Sequence, residues 1–237
     1  MRPGLPPRGC RANILRGALR VIRVGVYIDY SNVYSGARDA FVLTGQPGHR
    51  GNVNPLYLAK CVALNAPDGT KRSDTHSLEF TKVFRGAPDP RKEPKAALME
   101  AKRAANWERW GAQVYRQTLD YGQGRPVEKG VDVRLATTLT MDAIKRAMDL
   151  AVLVSADKDF RYALINVRDL QQVELEVAIW QAVPGGSAIG RIELRPERPM
   201  EPEVPCHLLT RSDFSRLEDT VDYRRQPTPP GWNAPTS

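Results

Sequence analysis

Five short runs rich in β-branched residues alternate with segments of helical periodicity, and this alternation constrains the fold more than any other feature of the chain. VIRVGVYID, from Val21 to Asp29, has the composition of a strand and ends at a polar cluster. After it, Val33, Ala37, Ala40 and Phe41 follow the i, i+4, i+7, i+8 spacing of one helix face. LYLAKCVALN (56–65) fits a further helix and LEFTKVFRG (78–86) a second strand. Residues 94–111 open on Pro94 and close on Gly111, the usual punctuation of a helix. QVYRQTL (113–119) is a third strand. Val131, Leu135, Leu139, Ala143 and Ala147 then step by four along a helix. AVLVSA (151–156) is the short apolar run of a strand buried on both faces. Phe160, Ala163, Leu164, Val167 and Leu170 mark another helix before a fifth strand, LEVAIW (175–180). The pattern predicts an α/β fold, a mainly parallel sheet with helices on both faces. It does not encode the order of the strands.

The ends of the chain differ from this body. Residues 1–20 combine Pro, Gly and Arg and are expected to be a flexible arm, with one helical turn near Ile14 to Leu19. The α/β domain is expected over 21–183, a Pro-rich extension over 184–223, and a disordered tail over 224–237, since nine of the 19 prolines fall after residue 183. The net charge of +8 also belongs to the ends: residues 1–25 hold six arginines and no acid, and Arg224 and Arg225 supply the rest. Inside the body, residues 71–116 carry 11 basic and 6 acidic side chains, whereas 117–223 carry 13 and 18. A basic part opposite an acidic part suits a site that takes a polyanion on one side and cations on the other, although two solvated faces would have the same composition. No apolar stretch is long enough to span a bilayer. Cys10, Cys61 and Cys206 form no CxxC pair and fit the reduced thiols of a cytoplasmic protein. His49, His76 and His207 show no metal or triad spacing.

Acidic clusters sit where such a fold builds its sites. Asp29 closes the first strand in YIDYSN, Asp132 opens a helix in EKGVDV, and Asp157 and Asp159 follow the fourth strand in VLVSADKDF. Ligands of open α/β sheets bind beyond the carboxyl ends of the strands, where strand order reverses. Asp29 and Asp157 would share one crevice if the first and fourth strands were neighbours. Four converging carboxylates repel unless a cation sits among them, and a set with no His or Cys favours Mg²⁺ or Mn²⁺ over zinc. Each aspartate alone could equally be a turn former or a helix cap.

The ordered set D-x-x-N, K-G-x-D and S-x-D-x-D, carried by VGVYIDYSN, EKGVDVRLA and DLAVLVSADKDF and followed by EVAIW, resembles the NYN domain, the LabA-like branch of the PIN-like nuclease superfamily. VFRGAPDP and NWERWGAQVYRQTLDYG are similar to segments of its bacterial members. The resemblance runs from about Val21 to Trp180. It implies a Rossmann-like sheet and a metal-dependent ribonuclease site acting on single-stranded or structured RNA. Asp29, Asp132, Asp157 and Asp159 would be the acidic set, directly or through water, with Mg²⁺ or Mn²⁺ as cofactor. Asn32 would orient Asp29 or touch substrate, Ser155 would add a hydroxyl or backbone contact, and Lys129 could contact a phosphate. One position departs from the pattern: many members have an acid six residues after the K-G-x-D aspartate, where this chain has Thr138. Asp142 lies a turn later, roughly 6 Å further along the helix axis, and an i, i+4 pair with Arg146 is its expected role. The loss of one carboxylate leaves open a catalytically weak domain that binds RNA or a protein. An aspartyl-nucleophile phosphohydrolase fits less well, because Ser31 stands where that chemistry wants a second aspartate.

The basic segment, with Lys71, Arg72, Lys82, Arg85, Arg91, Lys92, Lys95, Lys102 and Arg103, is expected to hold the phosphate backbone in part. Trp107, Trp110 and Tyr115 lie nearby and could stack on unpaired bases. Two tryptophans three residues apart on a helix more often serve the core.

Overall fold

The computed structural model describes residues 20–72, 75–122, 124–181 and 204–232. The expected helical turn near Ile14, residues 182–203 and residues 233–237 lie outside them. Six strands form one sheet in the order β3-β2-β1-β4-β5-β6, with β1 at Ile22–Asp29, β2 at His76–Ala87, β3 at Ala112–Thr118, β4 at Leu150–Val154, β5 at Glu174–Trp180 and β6 at Cys206–Leu209. Every neighbouring pair is parallel. Apolar side chains therefore run almost without interruption through the central strands: all five residues of β4 are buried, as are the last six of β1.

Helices cover both faces, as the alternation predicts. On one side α1 (Tyr30–Phe41), α2 (Pro55–Leu64) and Trp107 of α3 (Pro94–Arg109) pack on Val26, Ile28, Val152 and Val154. On the other, α4 (Val131–Ile144) and α5 (Arg161–Asp169) cover Tyr27, Phe84, Leu153 and Val177. The helix starts have local causes. Asp29 caps α1 by accepting from the Asn32 N–H, and Asn54 caps α2 ahead of a proline in the first turn.

Sequence periodicity identifies five strands; the sheet has a sixth. β6 is only four residues long and pairs with β5, and α6 (Arg211–Leu217) follows it under a capping box between Thr210 and Asp213. Phe214 of α6 stacks on Phe41 at 5.4 Å, and Trp180 lies edge-on to Phe41 at 5.5 Å. The backbone after α6 returns to the α1–α2 loop, where the Asp219 N–H donates to the Asn52 carbonyl and the Asn54 N–H to the Leu217 carbonyl. Within the stretch expected to be a disordered tail, residues 224–232 are described and run through turns.

Among the described residues no helix is long and apolar enough to cross a membrane.

Candidate active site

Strand order reverses between β1 and β4, so the crevice of an open α/β sheet falls at their carboxyl ends. Ile28 lies beside Val154, and each strand then delivers its polar residues to the same edge. The Ser155 hydroxyl donates to Asp29 Oδ2 at 2.9 Å and accepts from the Asp157 N–H at 3.1 Å. Asn32 Oδ1 accepts from the Ala156 N–H at 2.9 Å. The first turn of α1 and the loop after β4 are thus tied together twice, once through Ser155 and once through Asn32. Asp157 caps the short helical turn Lys158–Phe160 by accepting from the Asp159 N–H at 2.9 Å.

The third segment arrives from the loop before α4. Gly130 has φ of 78°, a left-handed turn that suits glycine, and it places Asp132 in the first turn of α4, where the helix dipole favours an acid. Glu128, two residues earlier, reaches toward the ends of β1 and β2: its Oε1 accepts from Ser31 Oγ and from the Gly86 N–H, both at 2.6 Å. Gly86 makes this approach possible, because a Cβ there would stand 2.5 Å from that same oxygen. Glu128 is the site residue that sequence reasoning missed. Its signal was present in the acid that opens the EKGVD run.

Burial and neighbouring charge act on two of the carboxylates, Asp29 and Asp132. Burial pushes the Asp29 carboxyl up to about 6, against the hydrogen bonds from Asn32 and Ser155, and the charges of Asp132 and Glu128 push the same way. Asp132 is raised by partial burial and then by Asp157, Glu128 and Asp159. Asp29 is 4% exposed, whereas Asp132 and Asp159 are open to solvent. Among the described residues no lysine or arginine forms an ion pair with any of these five acids.

Neighbouring expectations resolve individually. Thr138 does not stand in for a carboxylate: its hydroxyl donates to the Arg134 carbonyl at 2.7 Å, within its own helix. Asp142 does not pair with Arg146. It takes the Lys82 ammonium and the Tyr27 hydroxyl, the latter at 2.8 Å, because α4 packs across β1 and β2, and Arg146 donates to Gln172. Lys129 is exposed and ion-paired with Asp120. Arg85 is half-buried, its guanidinium lying against the rings of Tyr30 and Trp107 and pairing with Glu100. Trp107 is wholly buried and belongs to the core, Trp110 is exposed, and Tyr115 stacks on Phe84 at 4.7 Å.

The family model described as the NYN domain matches residues 23–187, well over half of the chain. The chain belongs to the NYN family. No curated protein matches it. A solved structure of a protein of unknown function from Vibrio parahaemolyticus is 19% identical, with 71% of this chain and 85% of that one covered and a TM-score of 0.41. Membership places this NYN domain in the PIN-like nuclease superfamily, and its match spans β1 through β5 and therefore all the acidic segments.

The donor set of the NYN domain is made of oxygen alone and lacks a compensating base, the chemistry that suits a hard divalent cation. In that sense the residues fit Mg²⁺ or Mn²⁺. Among the described residues no three of them stand close enough together to form a ready-made ligand shell.

Proposed function

We propose that this NYN domain is a ribonuclease that hydrolyses RNA phosphodiester bonds in a reaction dependent on Mg²⁺ or Mn²⁺. Asp29, Asp132, Asp157 and Asp159 would hold the ion, directly or through water. The observation that carries the reading is the gathering of carboxylates from three separate segments at the β1/β4 switch point, where Ser155 joins Asp29 to the Asp157 loop and, among the described residues, no basic side chain pairs with the acids. A divalent ion bound there supplies charge neutralisation and a more acidic water.

The chain's own residues supply position. Ser155 and the Asn32 N–H hold Asp29 in one orientation, and the Asn32 side chain holds the loop that carries Asp157. Glu128 is braced by Ser31 and Gly86 and adds charge to the pocket without being free to turn. Ser155, Asn32, Arg85 and Lys129 are the groups proposed to touch substrate; Lys129 would exchange Asp120 for a phosphate. The setting that accompanies this chemistry is the cytoplasm, in keeping with the few and unpatterned cysteines.

A second reading, a catalytically weak NYN domain that binds RNA or a protein partner, draws on the self-satisfied hydroxyl of Thr138 and on the looseness of the carboxylate set. One assay separates the two. Wild-type protein is expected to cleave single-stranded RNA with manganese and not with EDTA, and Asp29→Asn and Asp157→Asn are each expected to slow cleavage by about 100-fold or more. Cleavage that survives both substitutions rejects the site, and RNA binding without turnover under any divalent ion selects the second reading.

A further inference from the structure

Beside the acidic set lies a recess of about 190 Å³ lined by Tyr30, Ser31, Tyr34, Gly48, Asn52, Arg85 and Arg103. It holds two guanidinium groups and no carboxylate. Arg85 comes from the end of β2 and Arg103 from α3, and each lies against aromatic rings: Arg85 at 4.8 Å from the Tyr30 ring centre and 5.5 Å from that of Trp107, Arg103 at 5.3 Å from that of Tyr223. Stacking of this kind fixes the guanidinium planes and leaves their edges to bond elsewhere.

Those edges are incompletely used. Among the described residues, Arg85 Nη1 and Arg103 Nε are buried without a hydrogen-bond partner. The nearby carboxylates are engaged. Glu100 forms ion pairs with Arg85 and Arg116, each at 3.6 Å, so this one carboxylate is shared between guanidiniums. Asp219 accepts from Trp107 Nε1 and from the Tyr223 hydroxyl. Arg85, Arg103 and Arg116 all act on the single Glu100 carboxylate, so the recess lined by the first two keeps an excess of positive charge that suits an anion. The volume is below that of a pocket for a drug-sized molecule and is suited to a small group.

We propose that this recess is a phosphate subsite that seats one phosphate of the RNA strand while a neighbouring phosphate lies at the carboxylates. The two sites share a wall. Ser31, which lines the recess, donates to Glu128, and Gly86, next in sequence to Arg85, donates to the same oxygen. A strand anchored by one phosphate in the recess is therefore registered against the acidic set, the positioning role that backbone contacts have in nucleic-acid binding. This inference deepens the ribonuclease reading and rests on it for the identity of the ligand, but the affinity of the recess for phosphate does not depend on cleavage. The anchored group is either a 5′-terminal phosphate or an internal one.

The test uses the full chain in EDTA. Inorganic phosphate is expected to raise the thermal midpoint of the wild type saturably above a chloride control of equal ionic strength. Arg103→Gln, and Arg85→Lys as a milder change that keeps the charge facing Glu100, are each expected to weaken that affinity about tenfold or more, while Asp29→Asn keeps it. Absence of a phosphate effect in the wild type, or an undiminished effect in a folded Arg103→Gln protein, overturns the proposal. The source follows from anisotropy with a short RNA carrying either a 5′-phosphate or a 5′-hydroxyl. A loss in Arg103→Gln confined to the phosphorylated strand assigns a terminal phosphate, and an equal loss for both strands assigns an internal one. A phosphate effect that persists where no RNA is cleaved leaves the subsite standing and counts against the nuclease reading alone.

Discussion

Asp29→Asn is expected to raise the stability of the metal-free protein at pH 7 while slowing the manganese-dependent RNA cleavage proposed for it. Asp29 is 4% exposed and its carboxyl is held up at about 6, where a carboxylate of the unfolded chain titrates near 4. Between these values the folded state binds a proton that the unfolded state does not, so stability falls as pH rises through the window, and above about 6 the whole penalty, on the order of 2–3 kcal/mol, is in force. Asparagine carries no charge; its one oxygen can accept from the Asn32 N–H, and its amide Nδ2 can donate to Ser155 Oγ, reversing that bond. The variant should therefore gain about 1–2 kcal/mol at pH 7 over the wild type, and the gain should shrink toward zero as both are acidified to about pH 4. Urea unfolding of the two proteins in EDTA at a series of pH values gives the comparison. A variant less stable than the wild type at pH 7, or a gain that grows with acid, contradicts this account of Asp29.

Trp107→Ala is expected to be the more damaging of the tryptophan substitutions by a wide margin. Trp107 is wholly buried; its ring centre lies 4.7 Å from that of Tyr30, its Nε1 donates to Asp219, and it supports the guanidinium of Arg85. Removing a buried tryptophan costs about 3–5 kcal/mol, which for a chain of this size lowers the thermal midpoint by roughly 8–15 °C. Trp110, three residues on, is 71% exposed, and its change to alanine should move stability by no more than about 0.5 kcal/mol. Circular-dichroism melts of both variants decide the matter. Equal midpoints for Trp107→Ala and the wild type would return Trp107 to the surface and reopen a stacking role for it.

The fate of these two tryptophans illustrates what sequence periodicity can and cannot convey. Strands β1 and β4 were legible because each is an apolar run that stops at a carboxylate, and burial on both faces of a parallel sheet leaves that pattern in the chain. The adjacency of β1 and β4, which brings Asp29 and the Asp157 loop to one sheet edge, is a matter of strand order, which local pattern does not contain. Strand β6 escaped because it has four residues and one of its two buried side chains is His207, matched to Glu176 on the neighbouring strand instead of to an apolar layer. Asp142 was misassigned for a related reason: helical arithmetic points to Arg146, but its partners, Lys82 and Tyr27, lie 60 and 115 residues away. Glu128 was hidden in the same way, its role being created by Ser31 and Gly86, which are 97 and 42 residues distant. Local composition revealed which acids close strands and open helices; the folded topology alone reveals which of them face one another.

Manganese binding measured by titration calorimetry on the metal-free chain is the most direct test of the claim that the carboxylates at the β1/β4 edge are a cation site. The wild type is expected to bind saturably, with affinity that rises with pH as Asp29 and Asp132 lose their protons, and Asp157→Asn to weaken that binding about tenfold or more. Binding of equal strength in the Asp157→Asn protein, or no saturable heat from the wild type at neutral pH, would contradict it.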